Sequence, residues 1–473
     1  MNPRFILSLD YPAAVVDDGV GSLTVSTGTG TVRFSSVTTG VAHALEQLKQ
    51  GTSSDELSRV VAAFDGERAL PQWFYRLGAL ERNGGIVYEV RDGDRLAARA
   101  RIMSVGFRPG LGVISMNDDW VLSRFARIRR ADQGFVIESP LSAAIVELFD
   151  ISRFGVVVRG SRDVADDTSR DILCLLEYCG MLARVDALGR AVDEPTSLAY
   201  WHFSDLLFHR HCRTPRYRPG GGNSSPTTTP EPLPAFKRPM SEHTMELFTP
   251  DLTRLSGNDV PLTNVIEHRR SVREYDDQPL DMKQLGEFLY RAGRSKRGTE
   301  IDCECPLHEG GDRPYPAAGS CYELELYLAV ARCEDLAAGF YHYDPRKHRL
   351  EILSPADADF RQLLDNATGG MNGAVFAQVL IVIGARFGRV MTSYGRGSYA
   401  LILKDVGVLL GTMYLVATAM QLAPCALGGG DGELFARMIG SNFEEETSVG
   451  EFMLGRRRSV SAAAAHVPGD ASR

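Results

Sequence analysis

Arg269-Arg270-Ser271-Val272-Arg273 and Arg313-Pro314-Tyr315-Pro316-Ala317-Ala318-Gly319 are the two runs on which the reading of this chain turns. The first sets three guanidiniums and a hydroxyl within five residues. Each guanidinium offers a planar fork of donors, which matches the oxygens of a phosphate dianion. The second is a turn restrained by proline and glycine that leads directly into an apolar strand expected over Leu324–Val330. A backbone held that firmly suits contact with a planar ligand.

Outward from these runs, further segments follow in order. They are Tyr322-Glu323-Leu324-Glu325-Leu326-Tyr327, Gly339 to Pro345, Tyr394-Gly395-Arg396-Gly397, and Leu427-Gly428-Gly429-Gly430 after a long apolar helix. In this order they resemble the flavin-binding core of the nitroreductase-like flavoproteins. Within that superfamily the chain is most similar to the SagB-type dehydrogenases, which oxidise azoline rings in ribosomally made peptides. The similarity spans residues 200 to 458, about half the chain.

The resemblance implies an α+β fold: a dimeric nitroreductase-like domain, with a mixed sheet flanked by helices, over residues 241–458. It implies FMN as cofactor, with Arg269 and Ser271 at the phosphate and ribityl end, Arg273 beside them or near the ring, and Arg270 in the same cradle; a basic helix end paired with Glu267 and Glu274 is the alternative. Pro316, Ala317, Ala318, Gly319 and Ser320 would form the turn under the isoalloxazine, although the family usually has Ser where this chain has Ala317. Gly428 and Gly429 would run close to flavin N5, where a side chain would block hydride transfer. Arg456, in the run Arg456-Arg457-Arg458, is a candidate to complete the phosphate site; a solvated basic end is the alternative.

The catalytic pair departs from the family. SagB-type enzymes carry adjacent Lys and Tyr before the long helix, and this chain has Ser393-Tyr394. Azoline oxidation needs a base for the Cα proton. A phenol of pKa about 10 serves at neutral pH only if something favours its ionised form, as a neighbouring ammonium does. Ser393 brings no charge, so Tyr394 acts without that help or Lys404 substitutes. The family's Gly-His on the next helix is Gly407-Val408 here.

Composition limits the alternatives. A chain of 473 residues is expected to form two or three domains. Net charge of -8 argues against nucleic-acid binding by bulk electrostatics. Eight irregularly spaced cysteines read as reduced thiols and, with no signal-peptide pattern at the start, as a cytoplasmic protein. Val406–Leu422 is apolar over 17 residues, short of the roughly 20 of a membrane span, and is expected to be an interface helix of a homodimer over Lys404–Gln421. Cys303-Glu304-Cys305-Pro306-Leu307-His308 falls short of a structural zinc set, so no metal is expected.

Residues 1–100 and 101–195 read as two winged-helix-like units. Helices are expected at Val41–Leu48, from Ser53, and over Ala69–Glu81; in the second unit a strand at Phe135–Glu138 precedes helices at Leu141–Phe149 and Ser169–Cys179. Neither third helix offers a basic base-reading face. The units resemble peptide-clamp modules that add a leader-peptide strand to a sheet edge, and a plain scaffold is the alternative. A lead-in helix at Trp201–His209 opens the catalytic unit near residue 197, and residues 196–240 hold a connector with seven prolines in Thr214–Met240, read as extended or mobile, with an ordered arm wrapping a neighbouring surface as the alternative. Residues 459–473 read as a disordered tail. The implied partners are a precursor peptide and the cyclodehydratase that makes the azoline. The competing functions are an NAD(P)H-dependent FMN reductase and an inactive partner in a peptide-modifying complex.

Overall fold

The computed structural model describes the chain apart from residues 1–3, 11–13, 18–21, 28–29, 104–106, 108, 116–117, 165, 193, 214–230, 232, 297–311, 370–376, 396 and 459–473. The Cys303–His308 run, most of the connector, Arg396 and the expected tail lie outside the described residues. The chain divides into two compact units, 1–227 and 228–473.

In the first unit, β1 (Ile6–Leu9) precedes a small antiparallel sheet of β2 (Ala14–Asp17), β3 (Leu23–Thr27) and β4 (Gly30–Phe34). Three helices follow: α1 (Thr39–Gln50), α2 (Ser54–Asp65) and α3 (Leu70–Arg82). Helix α1 buries Val41, Ala44, Leu45 and Leu48, the spacing of one helical face. Helix α2 starts where Ser53 Oγ accepts the Glu56 amide at 3.2 Å. Arg76 of α3 is buried and donates to the Ser35 and Ser36 carbonyls at the end of β4, so the one cation of that helix centre serves packing.

The second sheet of this unit has the order β1-β5-β6-β10-β9-β8, built from β5 (Ile86–Asp92), β6 (Arg95–Ile102), β8 (Arg127–Ala131), β9 (Gly134–Glu138) and β10 (Ala144–Leu148). Strand β7 (Asp119–Leu122) pairs with β11 (Leu182–Val185), and α4 (Phe154–Arg159) and α5 (Asp167–Tyr178) lie between them in sequence. Strands from both sides of residue 100 thus share one sheet and one core, which runs from Leu7 to Met181. The expected helix at Leu141–Phe149 is instead β10, paired through Val146 with Ala100 and Ile137. Its burial alternates along Ala144-Ile145-Val146-Glu147-Leu148, the period of a strand, and a run this short is ambiguous in sequence. Helix α6 (Phe203–Arg213), expected to open the catalytic unit, is tied to the first one. Arg124 bonds Glu194 and the Leu198 carbonyl, and Arg127 stands over Phe203 at 5.9 Å.

The second unit is a seven-stranded sheet of order β12-β15-β14-β13-β16-β18-β17. Its strands are β12 (Thr244–Glu246), β13 (Leu324–Val330), β14 (Gly339–Asp344), β15 (Arg349–Pro355), β16 (Val379–Arg386), β17 (Leu422–Leu427) and β18 (Glu446–Arg456). Every ladder is antiparallel, where a mixed sheet was expected: tight connections join β13 to β14 and β14 to β15, and β16 runs against the other edge of β13. Strand β13 is buried throughout, and its side chains alternate between two cores. Leu326, Leu328 and Val330 pack with α9 (Met282–Gly293) and α12 (Ser398–Ala419). Tyr327 and Ala329 pack with α10 (Ala358–Gly369) and α13 (Gly432–Met438). Helices α7 (Leu252–Asn258), α8 (Leu262–His268) and α11 (Phe387–Tyr394) complete the unit.

The last part of the connector is an ordered arm. Arg389 donates to the Leu233 carbonyl at 2.8 Å and Arg386 to that of Pro234 at 2.7 Å. Lys237 reaches Tyr327 and Glu446, each at 2.6 Å. Helix α12 is longer than its sequence suggested, 22 residues, and by length and composition it could cross a bilayer. One stripe of it, including Ser398, Asp405, Leu409 and Met413, is buried in protein, while Leu403, Val408 and Tyr399 are exposed. The expectation of burial on most faces is therefore not met within one chain.

Candidate functional site

Helix α8 ends at His268, and the chain then runs extended because Val272 N–H donates to the Pro424 carbonyl of β17 at 2.8 Å. This exposes Arg269, Arg270 and Arg273 while holding Ser271 inward. Ser271 Oγ meets the Tyr414 hydroxyl at 2.7 Å, and that hydroxyl accepts the Ala426 amide at 2.8 Å. The Arg269 guanidinium stands 5.4 Å from the centre of the Tyr414 ring. No carboxylate among the described residues pairs with Arg269, Arg270 or Arg273. Three uncompensated cations beside an anchored hydroxyl fit an anionic, phosphate-bearing group.

Arg456 approaches the same strand by its backbone. Its carbonyl accepts the Asp276 amide, and its amide donates to Gln378. With Arg457 and Arg458 it lines a cavity of about 640 Å³ shared with Asp276, Gln284 and Gln421.

The Pro316–Ser320 turn is conformationally special. Gly319 has φ +53°, and Ser320 and Tyr322 take positive φ without being glycine. The turn is held from two sides. The Ala318 amide donates to Asp405 Oδ2 of α12 at 2.9 Å. The Tyr394 hydroxyl, at the end of α11, lies where a Cβ on Gly319 would sit, so this position admits only glycine. Tyr394 is 44% exposed, as a group meeting a substrate must be. Ser393 is exposed and within hydrogen-bond reach of the Cys321 thiol. Lys404 is exposed beside Asp405.

Behind the turn lie residues that the sequence reading did not single out. Glu323 is fully buried, and Asp405 is the neighbouring carboxyl that acts on it. Burial, and then the neighbouring Asp405, push the Glu323 carboxyl up to about 8. Burial likewise raises Asp405, against the opposing effect of the Ala318 amide. Arg389 spends its donors on carbonyls, two of them on Cys321 at 3.1 and 2.7 Å. Tyr414 was missed as well; its signal is a phenol set within the apolar run that follows Lys404-Asp405.

Gly428 and Gly429 stand apart from this group. They line a cavity of about 750 Å³ with Asp365, Asn366, Asp431 and Phe443. A Cβ on either would meet open space within the chain, whereas one on Gly430 would strike the Glu451 carboxylate. The steric demand for glycine therefore lies at Gly430. Asp405 and Tyr414, which hold the turn and the Ser271 end, are nine residues apart on α12. That is about 14 Å along the helix and about half a revolution around it.

The second unit thus combines an antiparallel sheet flanked by helices, an exposed arginine run and a turn with positive φ. Residues 266–456 match the Nitroreductase family and residues 120–218 the cyanobactin oxidase ThcOx family. The second half of the chain is thus similar to the nitroreductase-family oxidoreductases, and the two matches on one chain support its resemblance to the SagB-type azoline dehydrogenases. A relative from Methanocaldococcus jannaschii, "Putative nitroreductase MJ1384", is 29% identical over 185 residues, 39% of this chain and 84% of its own length. A solved nitroreductase-named structure from Anabaena variabilis covers 96% of this chain and 80% of its own at 15% identity, with a TM-score of 0.38. The E. coli microcin synthetase McbBCD complex with truncated pro-MccB17 covers 46% of this chain and 85% of its matched chain at 17% identity, with a TM-score of 0.34.

Proposed function

We propose that this protein is an FMN-dependent dehydrogenase that converts thiazoline or oxazoline rings to azoles in a ribosomally made peptide. The observation that carries this reading is the pairing, on one chain, of a nitroreductase-family domain with a ThcOx-type segment. In this reading Arg269, Arg270, Ser271 and Arg273 hold the FMN phosphate and the Pro316–Ser320 turn supports the ring. Bound FMN supplies the hydride acceptor for the ring's Cβ hydrogen. The Tyr394 hydroxyl takes or positions the Cα proton, and Lys404 is the substitute. The exposed apolar face of α12 suits a homodimer.

The first unit is assigned to leader recognition. Strand β4 pairs only with β3 among the described residues, and α3 exposes Phe74 and Tyr75, which supports strand addition at that edge. A cyclodehydratase would supply the azoline.

The test is to incubate the purified, full-length protein with a leader-bearing azoline peptide under air. A yellow protein and a loss of two hydrogens per ring are expected; a colourless protein with no mass loss would overturn the reading. The absence of a cation at Ser393 favours a second reading, an FMN reductase using NAD(P)H. Rapid bleaching of the flavin by NAD(P)H, with no azole formed, would select it.

A further inference from the structure

We propose that Glu323 and Asp405 share a single proton, and that this carboxyl pair positions the Pro316–Ser320 turn and the Tyr394 hydroxyl resting on it. The geometry is a chain of three groups. The Ala318 amide donates to one oxygen of Asp405, and the Asp405 carboxyl faces that of Glu323. Among the described residues no donor reaches either Glu323 oxygen, although both are buried. Two ionised carboxylates in that arrangement would repel and leave Glu323 without a bond. One proton resolves both problems: neutral Glu323 donates its O–H to Asp405, whose remaining capacity accepts Ala318 N–H.

The surroundings leave that proton unchallenged. The groups facing the pair are Arg389 from α11, Lys404 beside Asp405 on α12, and Cys321 and Tyr315 on the chain flanking the turn. Arg389 is buried, and it donates to the Cys321 and Leu233 carbonyls. Lys404 is exposed to solvent.

The sign of the pH effect follows. Glu323 keeps its proton to about pH 8 when folded and releases it near its ordinary 4.5 when unfolded. The folded protein therefore binds the extra proton between these values. Its contribution to stability is complete below the lower value, declines as pH rises, and is gone above the upper one. Once Glu323 ionises, Asp405 is pushed away from a second negative charge and its hold on Ala318 weakens.

The proton sharing is argued from the Ala318–Asp405 bond, the buried and unpartnered Glu323 oxygens and the neighbouring Asp405 carboxyl, and needs no flavin; its consequence for FMN rests on the flavin reading above. Two measurements on the full chain keep the two separable. The first is the infrared carbonyl band of an un-ionised carboxyl in flavin-free protein. It is expected at pH 7, lost by pH 9.5, and absent from Glu323→Gln at both. The second is FMN affinity, expected to weaken by up to about tenfold per pH unit above pH 8 in wild type. Glu323→Gln, whose amide donates to Asp405 at any pH, should flatten that slope. Should Glu323→Gln fail to fold, Asp405→Asn provides the same test. Its amide donates to Glu323, so the band should disappear at a lower pH than in wild type. A wild-type band indifferent to pH, or unchanged in these variants, overturns the shared proton. A normal band with an FMN slope unaltered by Glu323→Gln overturns the positioning role. A normal band in protein that never binds FMN supports the pair and refutes the flavin reading.

Discussion

Tyr394 and the arginine run show what single residues contributed. The arginine cluster was visible because it is local, and the structure adds that Arg269, Arg270 and Arg273 are exposed with no carboxylate partner among the described residues. Tyr394 was legible by position, and the structure adds that its hydroxyl abuts Gly319. Glu323 and Asp405 were not legible. A carboxylate in sequence reads as solvated, and only tertiary packing reveals that Glu323, just before strand β13, and Asp405 of helix α12 are buried as neighbours behind one turn. Replacing Tyr394 with Phe should leave flavin content intact and slow azole formation by about 10²-fold or more. Mass loss in single-turnover assays checks this, and a wild-type rate would move the base to Lys404. Arg269→Ala combined with Arg273→Ala should strip most of the flavin, read from the visible spectrum after gel filtration, because charge-assisted phosphate contacts are lost.

Among the secondary elements, long periodic helices and buried strands were read well, and short apolar runs were not. Leu324–Val330 is a strand within its expected limits, since a continuous apolar run following a turn has few other options. Ala144–Leu148 was assigned the wrong element because five apolar-rich residues satisfy both periods. Helix α12 was cut short at Lys404-Asp405, taken as a polar boundary; the helix continues through them because Asp405 has the Ala318 amide as partner. The arm at 233–237 was only the alternative reading of the connector, for a related reason. Proline-rich sequence lacks its own hydrogen-bonded ladder, and here its carbonyls are satisfied by Arg386 and Arg389. Arg389→Ala should therefore destabilise the second unit by about 3 kcal/mol, since it leaves the Cys321 and Leu233 carbonyls without their donor. Urea unfolding of the full chain checks this, and Arg389→Lys should restore only part, because an ammonium cannot span both carbonyls.

At the level of the two units, a chain with separate cores divides its labour. Removing residues 1–195 cuts through the first unit, so the cleaner separation is at the connector, between 214 and 230. The isolated second unit should keep flavin and lose leader-dependent turnover. Unchanged turnover on a leader-bearing peptide would leave the first unit as scaffold. The order of motifs made the second half readable from sequence, whereas the joint sheet of the first half depends on pairings between strands far apart in the chain.

The opposed placement of Asp405 and Tyr414 on α12 has a consequence for stoichiometry. A ligand gripped at one end by the Ser271 side and at the other by the Ala318 side cannot pass through the helix that separates them. On the flavin reading proposed above, each copy would carry two half-sites, and a second copy of the chain is expected to supply the missing half. Occupancy should accordingly follow protein concentration: on serial dilution FMN should be released in step with the loss of dimer, with two flavins freed per dissociation event. Ultracentrifugation with absorbance detection of the flavin would show the two boundaries separating together.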